Sequence, residues 1–204
     1  LKDRSIAKAQ LIAGQSAKET LGLSDEARRA SVTALNQILA DSICLRDMYK
    51  KYHWQAAGAA FYRLHSLFDE HADEQSEIID SLAERVYTLG GASIPIPGDG
   101  TQLSHVAMLP RDREEVSVQV SRTLEAHEQL LVAARALARA FAELGDERTN
   151  DLLVNEVVRK NELQAWFLSE LVVDVRLMRA RWFARHLAWP LAIHPSGTGF
   201  ELQS

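Results

Sequence analysis

Two histidines and three carboxylates between Lys50 and Gly91 are the residues with ligand chemistry. His53 and His65 lie either side of Gly58, Asp69 follows His65 by one helical turn, and Asp80 and Glu84 form a second one-turn acidic pair. Imidazole nitrogen mixed with carboxylate oxygen suits a first-row metal ion. In a helical hairpin turning near Gly58, the two histidines stand at similar heights and can face each other. On the second helix, about 100° per residue puts His65, Asp69, Asp80 and Glu84 at roughly 0°, 40°, 60° and 100°, on one face.

That face is too long for one metal ion. Asp69 and Asp80 are about 16 Å apart along a helix rising 1.5 Å per residue, so a single chain is expected to hold two half-sites. A twofold axis resolves this: antiparallel second helices would set the His65/Asp69 end of one chain against the Asp80/Glu84 end of the other, making two identical sites per dimer. No glutamate stands three residues before any of the seven histidines, which disfavours a di-iron centre of Glu-x-x-His type inside one bundle. His-Glu-x-x-His is absent as well, which disfavours a zinc protease.

The elements that must position these residues are helical. Ser24 with Asp25 and Glu26 reads as a capped helix start, and Val32, Leu35, Leu39, Ile43 and Met48 recur at helical spacing. The first helix is expected to run to about Ala57, and the second from about Phe61 to Leu89, ending at Gly90-Gly91. Residues 92–112, with Pro95, Pro97, Gly98, Gly100 and Pro110, form a long crossover. A third helix is expected over about Arg113 to Leu144 and a fourth from about Thr149 to at least Val173, either side of Gly145-Asp146. Two short turns and one long crossover predict an all-α, ferritin-like four-helix bundle over 24–173. The N-terminal arm 1–23 and the basic, aromatic C-terminal extension 174–204 flank it.

YKKYHWQAAG, FYRLHSLFDEH, IIDSLAERVYTLGG and NELQAWFL resemble the Dps family, the DNA-binding proteins from starved cells, over roughly residues 28–172. The resemblance implies hollow dodecamers built from twofold dimers. It also implies ferroxidase ligands His53, His65 and Asp69 from one subunit with Asp80 and Glu84 from its mate, and matches Trp54 to a tryptophan beside the site. Fe(II) and hydrogen peroxide are the implied substrates, with ferric mineral stored in the cavity; zinc or another divalent metal is a substitute. Glu70, Asp73, Glu74 and Glu77 are candidate mineral-nucleating carboxylates. Asp146, Glu147 and Asp151 are candidates for an iron inlet pore, since an acidic pore concentrates cations.

The net charge of −5 argues against a globally basic nucleic-acid binder, but local arms remain. Lys2, Arg4, Lys8 and Lys18, with Arg176, Arg179, Arg181 and Arg185, are the candidate DNA contacts, and twelve copies would add up weak single arms. No apolar run reaches membrane-spanning length, and the single cysteine, Cys44, excludes an internal disulfide. Both fit a cytoplasmic protein, nucleoid-associated if the arms bind DNA. Two alternatives stand beside iron oxidation and storage: a protein that mainly binds DNA, and a cage whose metal site is structural. His71 points away from His65 around the helix and is left out of the ligand set.

Overall fold

The computed structural model describes residues 21–94 and 103–173. Helix α1 spans Asp25–Gln55, α2 Phe61–Thr88 and α3 Val116–Glu143. The fourth rod is continuous but has three parts: α4 over Glu147–Leu152, a π-helical turn over Leu153–Val158, and α5 over Arg159–Val173. Ser24 caps α1, its hydroxyl accepting from the Ala27 amide at 3.1 Å.

Hydrogen bonds from the crossover fix the topology. Asn36, near the start of α1, donates to the Ala92 carbonyl at 2.9 Å and accepts from the Ile94 amide at 3.0 Å. Further along α1, the buried Asp41 carboxylate accepts from the Ser104 hydroxyl and the His105 amide. At the far end, the Tyr52 hydroxyl donates to Glu114 at 2.9 Å. The described residues of the crossover therefore lie along α1, from its N-terminal to its C-terminal end. Helix α3 then starts where α1 finishes and returns to bring Asp146 against Ser31. The order is up-down-down-up, the ferritin-like arrangement. The expected four-helix bundle with its long second-to-third connection is the observed one.

Three local details differ from the sequence reading. Helix α3 begins at Val116, not Arg113, because the preceding residues are committed to the end of α1: Arg113 donates to the Gln55 carbonyl, and Glu114 accepts from Tyr52 and Arg122. The fourth helix begins at Glu147, since Asp146 rather than Thr149 sets its start. The π turn was not anticipated. Its signature is a five-residue spacing of buried pairs, Leu152 with Val157 and Leu153 with Val158, where an α-helix repeats every 3.6 residues.

The close of α2 is tight. A Cβ added at Gly91 would meet both Val32 methyls at 2.6 Å. Gly91→Ala is expected to cost about 1–3 kcal/mol through overpacking, read as a shift in denaturation midpoint; an unchanged midpoint would mean that α1 can move aside freely.

Candidate metal centre

The turn at Gly58, with φ of +82°, folds α2 back so that His53, in the last turn of α1, meets His65, in the second turn of α2. Their rings stack with centroids 3.7 Å apart and planes 22° apart. The contact is reciprocal: His53 Nδ1 lies 2.8 Å from the His65 carbonyl, and His65 Nδ1 lies 3.0 Å from the His53 carbonyl. A carbonyl oxygen can only accept, so each Nδ1 carries a proton, and in the neutral ring Nε2 is the nitrogen with the lone pair. Neither Nε2 takes a hydrogen bond among the described residues. This is how proteins hold imidazoles for metal ligation, with one nitrogen fixed by a carbonyl and the other left as donor.

Asp69 completes the cluster, its carboxylate 3.7 Å from His53 Nδ1. The same oxygen accepts from Lys50 Nζ at 2.6 Å. This bond, with the nearby His53 and His65 rings, holds the Asp69 carboxyl below the usual carboxylate range and raises Lys50 above the usual lysine range. Lys50 escaped the sequence reading, although its place one turn before His53 on α1 could have flagged it. It also reaches Asp73 at 3.5 Å.

Asp80 and Glu84 sit further along α2, both exposed. Among the described residues of one chain, no three His, Cys, Asp or Glu side chains form a group that could hold a metal ion. Trp54 is 75 % exposed, and Phe61 and Tyr62 are exposed beside it on the other side of the turn. The groove along α2 from His65 through Asp69, Glu70 and Asp73 to Glu77 is acidic and open. Within it Glu77 pairs with Lys160, and Glu74 accepts from Gln164 at 2.6 Å.

The inlet-pore assignment of Asp146 is corrected. Asp146 is 1 % exposed and caps the fourth helix, accepting from the Thr149 amide at 3.1 Å. Its carboxylate also takes Arg85 Nη2 at 2.6 Å and the Ser31 and Thr149 hydroxyls at 2.7 Å each. Every oxygen is committed inside the bundle, so none is available to a passing cation. Burial alone would raise this carboxyl, but the hydrogen bonds and Arg85 outweigh it and hold it below its ordinary value. Glu147 and Asp151 are exposed, with Asp151 paired to Arg148. Lys2, Arg4, Lys8, Lys18, Arg176, Arg179, Arg181 and Arg185 lie outside the described residues, as do both arms apart from Leu21 to Leu23.

Sequence and structure comparisons agree with this fold. Residues 32–178 match the Ferritin family, a ferritin-like domain. DpsC from Streptomyces coelicolor is 49 % identical, with 77 % of this chain and 91 % of that one covered at a TM-score of 0.75. The chain belongs to the Dps family of the ferritin-like superfamily. A low temperature-induced protein of Nostoc is 37 % identical over 153 residues, 74 % of this chain and 85 % of its own. The DNA protection during starvation protein of Halobacterium salinarum is 31 % identical over 122 residues, 60 % of this chain and 67 % of its own. The Dps resemblance read from the four sequence motifs is therefore established. No described helix is long and apolar enough to cross a membrane.

Proposed function

We propose that this Dps protein oxidises Fe(II) with hydrogen peroxide at sites shared between two subunits, and stores the ferric product inside a dodecameric cage. The observation that carries this reading is the reciprocal pinning of His53 and His65, which leaves two Nε2 lone pairs beside the Asp69 carboxylate. Two nitrogens and one or two oxygens make half of a first-row metal site. Asp80 and Glu84 of a twofold-related copy supply the carboxylates that a ferric product prefers. Trp54, Phe61 and Tyr62 stand exposed around the half-site, as expected of surface that a second copy covers.

Each residue then has a defined task. His53 and His65 bind Fe(II) through nitrogens held in place before the metal arrives. Asp69 bridges iron and Lys50, so that Lys50 offsets the carboxylate's charge while the site is empty. The few protein ligands leave positions open for peroxide and water. Two Fe(II) reduce one peroxide to water, which removes both reagents of hydroxyl-radical formation and so protects DNA. The acidic groove from Glu70 to Glu77 faces the cavity and receives the ferric product. Zinc would be held by the same donors without redox turnover.

His53→Ala and Asp80→Ala are each expected to slow peroxide-driven Fe(II) oxidation, followed by stopped-flow absorbance, by at least about tenfold, since even an outer partner of a metal ligand is worth roughly 10–100-fold. Mixing the two variants decides where the site lies. A dimer of one His53→Ala chain and one Asp80→Ala chain has one intact shared site and one doubly broken, so re-assembled mixtures should regain activity that neither parent shows. Mixtures as inactive as the parents would place the ligands within single chains and end the shared-site reading.

A further inference from the structure

His53 sits in the last turn of α1, and the last four carbonyls of a helix have no partner within it. Left alone, such an end frays. Here two of those carbonyls are met from other elements: that of His53 by His65 Nδ1 at 3.0 Å, and that of Gln55 by Arg113 Nη2 at 3.4 Å. Side chains of the same turn reach the end of the crossover. Lys51 Nζ donates to the Pro110 and Asp112 carbonyls, and Gln55 Nε2 donates to the Asp112 carbonyl at 3.5 Å.

The best-buried of these ties runs through Glu114, whose side chain is 9 % exposed. One carboxylate oxygen accepts from the Tyr52 hydroxyl at 2.9 Å, and the other accepts from Arg122 Nε of α3 at 2.6 Å. Burial and the Glu114 carboxylate hold the Tyr52 phenol above its ordinary value, so it stays the donor. A hydrogen bond to a carboxylate is about twice as strong as a neutral one. Tyr52 is fully buried and immediately precedes His53, and its ring lies 6.3 Å from that of Phe68, the residue before Asp69. One side chain therefore stands next to both ligand-bearing turns, and Glu114 fastens it to α3.

We propose that Glu114 is a positioning residue for the metal half-site: by tying the Tyr52 hydroxyl to Arg122 of α3, it keeps the last turn of α1 wound and holds His53 against His65 before iron arrives. This rests on the reading of the half-site as an iron site. Glu114 itself touches neither metal nor peroxide. It supplies preorganisation, because a ligand already in place does not have to be ordered when the metal binds. Its loss acts on the capture of Fe(II), not on the oxidation of iron already bound. Asn36 provides the comparison. It ties the other end of the crossover to α1 through Ala92 and Ile94, about 25 Å of helix rise from His53.

The test measures peroxide-driven Fe(II) oxidation and Co(II) binding on assembled full-length Tyr52→Phe, Glu114→Gln and Asn36→Ala variants. Tyr52→Phe removes one hydroxyl and keeps the ring, so it decides the matter if Glu114→Gln does not assemble. Both Tyr52→Phe and Glu114→Gln should raise the KM for Fe(II) about tenfold, the low end for outer partners of a metal ligand, with kcat kept within about twofold. Co(II) binding, read from its visible absorption, should weaken by the same factor, and amide hydrogen exchange should quicken over residues 50–56. The double variant should be no worse than either single one, since both break one tie. Asn36→Ala should match wild type in KM and in Co(II) affinity. Wild-type KM and Co(II) affinity in Tyr52→Phe, or an equal loss in Asn36→Ala, overturns the proposal. Wild type that binds Co(II) but oxidises Fe(II) no faster than buffer removes the ferroxidase reading instead, and the Co(II) measurements then decide the positioning role by themselves.

Discussion

Asp146→Ala is expected to destabilise the bundle by about 3–5 kcal/mol, the usual cost of removing one partner of a buried ion pair. The size follows from what stays behind. Arg85 is 9 % exposed, and its guanidinium would lose the one carboxylate it pairs with among the described residues, at 2.6 Å. The Ser31 hydroxyl would lose its acceptor, and the Thr149 amide its helix cap. These partners come from α1, α2 and α4, so one side chain ties three elements together at one end of the bundle. Asp146→Asn keeps the shape and the cap but not the charge, and should fall between wild type and alanine. Urea denaturation of each variant checks this; a loss below about 1 kcal/mol for alanine would mean that water enters and solvates Arg85.

Acid should weaken the fold well before ordinary carboxylates titrate. His71 and His127 sit below the imidazole value of the unfolded chain because burial penalises the charged ring, and for His127 the nearby His71 adds to this. A depressed folded value contributes stability that is complete above about pH 6.5, the unfolded value, and is lost as pH falls toward the folded values of about 4 and about 3. Each histidine contributes a slope of roughly 1.4 kcal/mol per pH unit across that window. Together they should remove about 3 kcal/mol per unit between pH 6 and pH 5. Denaturation midpoints measured at half-unit steps test this, and His127→Phe should flatten the curve. A wild-type midpoint that is level from pH 6.5 to pH 5 would mean that the core admits the protonated rings.

The pairing of His53 with His65 near Asp69 was legible in the sequence because helix geometry is periodic. Fixed spacing places His65 and Asp69 on one face, and a glycine turn brings His53 opposite, so the facing imidazoles follow from spacing alone. The reciprocal carbonyl bonds were not legible, because a backbone acceptor leaves no trace in residue identity. Asp146 was misread for a related reason. An acidic residue beside a glycine turn looks solvent-facing in sequence, and its burial depends on Arg85 and Ser31, which are distant along the chain. Tyr49, His71 and His127 had the same disguise: each is a single polar residue on an apolar stripe, and only packing joins them.

The π turn at Leu153–Val158 is what remains when a helix takes in one extra residue while both of its ends stay put. On its C-terminal side, Asn161 and Gln164 still reach Gln75 of α2 at 2.9 and 2.8 Å. The departure from α-helical winding is confined to six positions. The fourth helix thus carries a built-in tolerance for length. Among its buried stretches, this is where a chain one residue shorter could close into a regular helix without turning the rest of the rod out of the core.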